Sequence, residues 1–223
     1  MEKLAPVIMC VIFIAIAYGL MKLTLKISAS ATKKKILSYG RPSEEAASAL
    51  FCSQFGEMNV LSNKWLLCHD TRGRKLYTEI DDIIVLGSCI VCVEIKSLVG
   101  KIDSDGEYTW HQSVRTRSGE MKEMDFTNPV FQNERHVEAI KAVLAKEHIP
   151  CPMIYNMVVF TSEKVAFSSE HSQVYLLSDA VDYIKALSKA KTLSTKQRLD
   201  IIRAINRNSP RANAARAYNE RNA

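Results

Sequence analysis

Two acids and an amine stand at set intervals in the stretch EIDDIIVLGSCIVCVEIKSLVG, Glu79–Gly100: Asp81, Glu94 and Lys96. Gly87-Ser88 between the two apolar runs is a signal for a two-residue hairpin turn. In that register opposite residues have numbers that sum to 175, so Asp81 faces Glu94, Glu79 faces Lys96, Ile83 faces Cys92 and Val85 faces Ile90. Strand side chains alternate, so all eight share one face. The other face carries Ile80, Asp82, Ile84, Leu86, Cys89, Val91, Val93 and Ile95. Directly opposed like charges destabilise a strand pair. A divalent cation between the carboxylates relieves that repulsion, and Mg²⁺ suits one or two carboxylates plus phosphate and water. Lys96 lies two residues past Glu94 on the same face, roughly 6.5–7 Å along the strand, within reach of a water or phosphate beside such an ion. The spacing therefore predicts Asp81 and Glu94 as metal ligands and Lys96 as the cation that positions or activates a nucleophilic water. A plainer reading stands beside it: Glu79–Lys96 as a cross-strand salt bridge and Asp81 as a loop cap, since ion-pair networks imitate functional clusters. A three-residue loop would put Asp82, not Asp81, opposite Glu94.

The elements that must hold these residues can be read from period and punctuation. RPSEEAASALFCSQFGEMNVLSNKWL predicts a helix, with Ser43 as N-cap and Glu44 and Glu45 in its first turn. KWLLCHD is a short strand, TRGRK a turn, and the hairpin follows. GKIDSDGEYTWHQ reads as a strand with an Asp105-Gly106 turn, and VRTRSGEMKEMDF as a loop or exposed edge strand. NPVFQNERHVEAIKAVLAKEH is a long amphipathic helix whose apolar face is Phe131, Val137, Ile140, Val143 and Leu144. MIYNMVVFTS and VYLLS are strands, and DAVDYIKALSKA and STKQRLDIIRAINR are helices, the latter capped by Ser194 or Thr195. The polar, basic tail from Asn208 has no apolar period. This order predicts one α/β domain with a mixed sheet.

Composition agrees. The 223 residues are 47% hydrophobic and 24% charged, which excludes a disordered or fibrous chain, and the net charge of +6 favours anionic partners such as nucleic acid or acidic lipid. Cys89 and Cys92 have CxxC spacing, but residues three apart on a strand point to opposite faces, so they read as core thiols rather than zinc ligands. Leu4 to Met21 is free of charge; as a helix it would span roughly 27 Å, close to the thickness of a bilayer core. Lys22, Lys26, Lys33, Lys34 and Lys35 follow it, which predicts a single-pass anchor with the rest of the chain cytoplasmic. A cleaved signal peptide is the rival, with SASA at Ser28–Ala31 as its site. The length of the apolar run and the two lysines before SASA favour the anchor. The predicted organisation is an anchor over 1–21, a basic juxtamembrane linker over 22–42, a domain over 43–190, and a helix with a basic tail over 191–223.

Asp followed by Glu-x-Lys on the next strand resembles the PD-(D/E)xK nuclease superfamily. FGEMNV, EIDDIIV, IVCVEIKSLVGKI, TW, NPVFQNERHVEAIKAVL and MVVFTS, in that order over roughly Ser43 to Leu177, resemble the nuclease-related domain (NERD) family. The resemblance implies a restriction-endonuclease-like core: a mixed central sheet flanked by helices. Glu57, Asp81, Glu94, Lys96 and Gln132 match positions the family is taken to use. Glu57, read on the first helix, would add a carboxylate to the metal shell or hold a metal-bound water; Gln132 and His136, one helical turn apart, would contact a phosphate or an active-site side chain. Asp82 stands where many relatives carry His. The implied activity is Mg²⁺- or Mn²⁺-dependent hydrolysis of nucleic-acid phosphodiester bonds, with DNA the expected partner. Arg72, Arg74, Lys75, Arg115, Arg117 and Lys122 would supply sequence-independent phosphate contacts. The alternatives are a non-catalytic, membrane-tethered nucleic-acid-binding module and a scaffold with the same fold.

Overall fold

The computed structural model describes residues 42–70, 72–116 and 118–222. The apolar run 4–21, the basic linker up to residue 41, Cys10 and Arg117 lie outside the described residues. From Ser43 onward the chain is one compact unit. Among the described residues no helix is long and apolar enough to cross a membrane.

Helix α1 (residues 42–55) is already helical at residue 42, so Ser43 lies within its first turn rather than capping it. It ends at Gly56, whose positive φ of 88° with ψ of 134° favours glycine and turns the chain out of the helix, while the Gly56 N–H still bonds the Cys52 carbonyl at 2.9 Å. A single 3₁₀ turn, Glu57–Asn59, leads into β1 (Val60–His69). The helix is therefore shorter than the sequence suggests, and Glu57 is not on it.

Strands β2 (Lys75–Val85) and β3 (Ile90–Lys96) follow. Antiparallel β1–β2–β3 then continues into parallel β7 (Ile154–Phe160) and β9 (Val174–Leu176), giving a mixed five-stranded sheet of order β1-β2-β3-β7-β9. A second sheet of order β6-β5-β4-β8 is built from β4 (Gly100–Asp103), β5 (Thr109–Arg115), β6 (Met121–Thr127) and β8 (Val165–Phe167). The Asp105-Gly106 segment is part of a longer connection between β4 and β5 rather than a two-residue turn, and VRTRSGEMKEMDF supplies the end of β5 and the exposed edge strand β6.

Helices cover both faces of the first sheet. On one face Ile83, Val85, Ile90 and Cys92 pack against Val137, Ile140 and Leu144 of α2 (Pro129–Lys146) and Ile201 and Ile205 of α4 (Thr195–Asn208). On the other, Ile84, Val91, Val93 and Val159 pack against Ala47 and Phe51 of α1 and Val181 and Ile184 of α3 (Leu177–Leu187). Each fully buried aliphatic side chain contributes about 1.5–3 kcal/mol, and the two-sided burial explains why these strands are apolar on both faces. Cys89 and Cys92 are free, buried and in opposite clusters.

The hairpin register is as the Gly-Ser turn dictates: Asp82↔Val93, Ile83↔Cys92, Ile84↔Val91 and Val85↔Ile90, with the Leu86 N–H bonded to the Cys89 carbonyl. The ladder stops at Asp82, one residue short of the expected Asp81–Glu94 pair. At that level β1 carries Asn63 with φ 54°, and the strands change face: Ile80 lies in the same cluster as Ile83, three residues on, where strict alternation would separate them. The expected Glu79–Lys96 bridge does not form. Glu79 pairs in register with Trp65 and approaches Arg216 at 3.9 Å, while Lys96 bonds Glu94.

The polar, basic tail, which has no apolar period, contains helix α5 (Ala212–Arg221). It docks through buried Ala215, the Tyr218 ring edge-to-face with Tyr77 at 5.2 Å, and the Arg216 guanidinium 5.4 Å from the centre of the Trp65 ring. Asn219 accepts from the Tyr77 N–H at 2.7 Å and donates to the Tyr77 carbonyl at 2.8 Å. With β3 paired only to the Asp82–Val85 end of β2, the amide stands where a neighbouring strand would. A helix that binds by one alanine, one ring and one amide leaves no apolar stripe to read.

Candidate active site

Asp81 sits where the hairpin opens. In the 175 register Ile95 would pair with Ile80; instead its N–H donates to Asp81 Oδ2 at 2.7 Å. Strands β2 and β3 diverge there because β3 is held by β7 along its whole length, from Ile90↔Ile154 to Lys96↔Phe160. The gap receives the carboxyl group of Asp81 on the side of Glu94 and Lys96.

Glu94 is buried. Its Oε1 accepts from Lys96 Nζ at 2.6 Å and from Gln132 Nε2 at 2.8 Å. Its Oε2 is buried without a hydrogen-bond donor, with His136 Nδ1 at 3.5 Å. Lys96 Nζ also reaches Gln132 Oε1 at 3.5 Å. Gln132 and His136 are thus brought to the site from one face of α2.

The helix is aimed by its N-terminal cap and by a buried asparagine. Asn128 caps α2, its side chain accepting from the Val130 and Phe131 N–H groups, and Pro129 occupies the first turn, where no amide proton is needed. Buried Asn133 donates to the Cys92 carbonyl at 2.9 Å, to Asn156 Oδ1 at 2.8 Å and to the Met157 carbonyl at 3.2 Å, and Asn156 returns a bond to the Val130 carbonyl at 3.0 Å. These amides fix α2 to β3 and β7, and so fix Gln132 on Glu94. The signal in the sequence was an asparagine in the apolar stripe of a helix, where a polar group needs a partner.

The electrostatics are those of a site short of positive charge. Burial, then the Glu94 charge, holds the Asp81 carboxyl well above the usual carboxylate range; the Ile95 N–H and Lys96 pull it down, and Glu44 pushes it up. Burial acts to lower the Lys96 ammonium, but Glu94, Asp81 and Glu44 outweigh it and keep the group above its ordinary value, hence charged. Burial lowers the imidazole of His136, so the ring is neutral near pH 7. Its Nδ1 makes its hydrogen bond with Asn133 Oδ1 at 3.2 Å, an acceptor, which places the proton on Nδ1 toward Asn133 and leaves Glu94 Oε2 without a hydrogen bond.

Asp82 is on the opposite face. It is buried and accepts from the hydroxyls of Ser48 on α1 (2.6 Å) and Ser62 on β1. Burial raises its carboxyl and the two hydroxyls moderate the rise. Asp82 ties α1 to the sheet, and Asp81 is the acid that shares a field with Glu94. Glu57 is exposed in the 3₁₀ turn, and no hydrogen bond or ion pair joins it to the cluster; its charge is felt at Cys52. The α1 carboxylate within electrostatic reach of Asp81 and Lys96 is Glu44, which the sequence reading took only as a first-turn acid.

Two carboxylates, one with a buried oxygen lacking a donor, fit a divalent cation, whose ligands are oxygens. Among the described residues no three His, Cys, Asp or Glu side chains gather at metal-ligand spacing, so the protein offers a two-carboxylate set that leaves room for phosphate and water. The basic residues expected to hold phosphate do not form one patch. Arg74 is bonded to Asp70 at 2.8 Å, and Arg115 and Lys122 stand in adjacent cross-strand pairs, Arg115↔Met121 and Val114↔Lys122, hence on opposite faces of their sheet.

No curated protein and no solved structure matches the chain. The family model described as nuclease-related domain matches residues 40–161, more than half of the chain, a span that contains Asp81, Glu94, Lys96 and Gln132. The chain belongs to the nuclease-related domain family.

Proposed function

We propose that this chain is a membrane-anchored nuclease that hydrolyses nucleic-acid phosphodiester bonds with a divalent cation, Mg²⁺ or Mn²⁺, held by Asp81 and Glu94. The observation that carries the reading is the buried, donor-less Oε2 of Glu94, beside Asp81, on a carboxylate whose other oxygen is oriented by Lys96 and Gln132. The order helix, three antiparallel strands, helix, parallel strand supports a restriction-endonuclease-like core. The uncharged run Leu4–Met21 followed by five lysines supports a single-pass anchor with the domain on the cytoplasmic side.

When bound, the cation would supply Lewis-acid stabilisation of the scissile phosphate and a more acidic water. The chain's own groups then have defined tasks. Lys96 is charged, so it is not the general base; its ammonium orients the attacking water and offsets the charge that builds on the phosphate oxygens. Gln132 fixes Glu94 and offers its Oε1 to Lys96, holding the amine between two acceptors. Water attacks phosphorus and gives up a proton to solvent, the bond to the leaving sugar oxygen breaks, and that oxygen takes up a proton from solvent.

The 2.6 Å Lys96–Glu94 ion pair favours one alternative, a non-catalytic tethered module that binds nucleic acid and uses the cluster as a structural ion pair. The full chain, purified in mild detergent and incubated with plasmid, linear duplex, single-stranded DNA and RNA under Mg²⁺ or Mn²⁺, separates the two. The nuclease reading expects metal-dependent cutting that Glu94→Ala and Lys96→Ala abolish. A gel shift that survives both changes, with no cutting of any substrate, would favour the module and sink the nuclease.

A further inference from the structure

Helix α2 presents a second face beside the one that meets Glu94. Phe131 and Arg135 each precede a site residue, Gln132 and His136, and both turn instead into a groove of about 590 Å³ between α2 and the β1–β2 pair. Across the groove stand Leu67, Lys75 and Tyr77. The volume is that of a small-ligand site, and aromatic and aliphatic side chains line it together with the cations Lys75, Arg135 and Lys146 and the acids Glu134 and Glu138. Both rings are braced from another side: Tyr77 edge-to-face by Tyr218 at 5.2 Å, and Phe131 edge-to-face by Tyr108 at 4.9 Å. Tyr108 is itself 56% exposed and extends the aromatic wall outward. The Arg135 guanidinium lies 5.9 Å from the centre of the Phe131 ring, and its Nε is buried without a hydrogen-bond partner. Of the two acids on the α2 wall, Glu138 is engaged by Lys141 at 2.7 Å.

Aromatic faces flanked by guanidinium and ammonium groups match the chemistry of one nucleotide: a π-surface that stacks and a phosphate that needs cations. A base paired in a duplex is already stacked and cannot offer its face to a protein ring. We propose that this groove takes one unpaired nucleotide of the substrate strand, its base against Phe131 and Tyr77 and its phosphate on Arg135 and Lys75, so that the enzyme prefers single-stranded or frayed nucleic acid. The inference rests on the nuclease reading for the identity of the strand, and on the groove alone for the way the strand is held.

The test measures binding apart from cutting. The full chain in detergent, with a chelator present, is titrated with a fluorescein-labelled single-stranded oligonucleotide and with the same sequence folded as a hairpin duplex. Phe131→Ala and Arg135→Gln should each weaken single-strand binding at least about fivefold, the loss of a base–aromatic stack, and leave duplex binding within twofold, while Phe131→Tyr retains wild-type binding. Ultraviolet cross-linking of an iodouracil-substituted strand to the unaltered chain should map to Tyr77, Tyr108 or Phe131, which keeps the test independent of any variant's folding. Equal losses for single strand and duplex, wild-type binding by both variants, or cross-links confined elsewhere would overturn the proposal. Because no metal or cleavage enters, the groove can stand if Glu94→Ala proves irrelevant to cutting, and can fall while the nuclease reading survives.

Discussion

Gln132 on α2 donates to Glu94 on β3 at 2.8 Å, joining helix to sheet at one oxygen of one carboxylate. The same oxygen takes Lys96 at 2.6 Å, which leaves the second oxygen to His136 and to whatever enters the site. A carboxylate so divided is fixed in direction before a ligand arrives, the preorganisation that electrostatic catalysis needs.

That division predicts how the fold answers to metal. Thermal melting of the full chain should rise by several degrees with millimolar Mg²⁺ or Mn²⁺, as for any ligand that binds only the native state. Asp81→Asn and Glu94→Gln should lose the shift, and each should reduce cutting at least about a hundredfold, the scale of removing one preorganised electrostatic group. A wild-type metal shift in either variant would place the ion elsewhere.

Glu44 acts on the charges of the cluster, whereas Glu57, to which the family resemblance gives a site role, stands in an exposed turn. Glu44→Gln should alter the metal response and lower cutting about tenfold, because its charge acts on both Asp81 and Lys96. Glu57→Ala, in an exposed turn, should stay within twofold of wild type. Initial rates at several metal concentrations decide between them.

Asp82→Ala should cost about 1–2 kcal/mol in denaturant unfolding, since it removes the buried carboxylate to which two half-buried hydroxyls donate. Asp82→Asn, which keeps an acceptor, should cost less. Neither should change the metal dependence of melting, because the side chain lies on the face away from Glu94.

His111 gives a check on the second sheet, away from the candidate site. Its Nδ1 lies 2.6 Å from Asp125 Oδ1, and that hydrogen bond, outweighing slight burial, raises the imidazole above its ordinary value. The protonated form is favoured in the fold, so this pair's contribution to stability is present below the unfolded value, about 6.5, and is lost as pH rises through the shifted one. An NMR titration of the ring should show the upward shift, and Asp125→Asn should return it to the ordinary range.

What could be read in advance follows from what is local. A two-residue turn fixes the hairpin register, and parity then puts Glu94, Lys96 and Cys92 on one face, as found. Asn128-Pro129 marks the start of α2, and Ser194 with Gln197 forms the capping box of α4. The choice between Asp81 and Asp82 needed tertiary information: the face switch at Asn63 and Asp81 arises because β3 leaves β2 for β7, and no pattern within β2 announces it. Glu44 was equally hidden, since only the packing of α1 through Ala47 and Phe51 brings that turn near the open end of the hairpin. Two sheets stand in place of the one expected, and the second is hard to read because it is assembled partly from elements with little signal: β4 has four residues, β8 has three, and β6 is exposed along nearly its whole length.

The amide of Asn219 has a consequence for the molecule's behaviour in company. A strand margin with free N–H and C=O groups is a template on which another chain can add. By closing the Tyr77 backbone with a side chain, α5 makes that margin unavailable without extending the sheet. Trimming the last helix should therefore do more than loosen the fold: it should add self-association through that margin, visible as concentration-dependent growth in light scattering beyond that of the full chain.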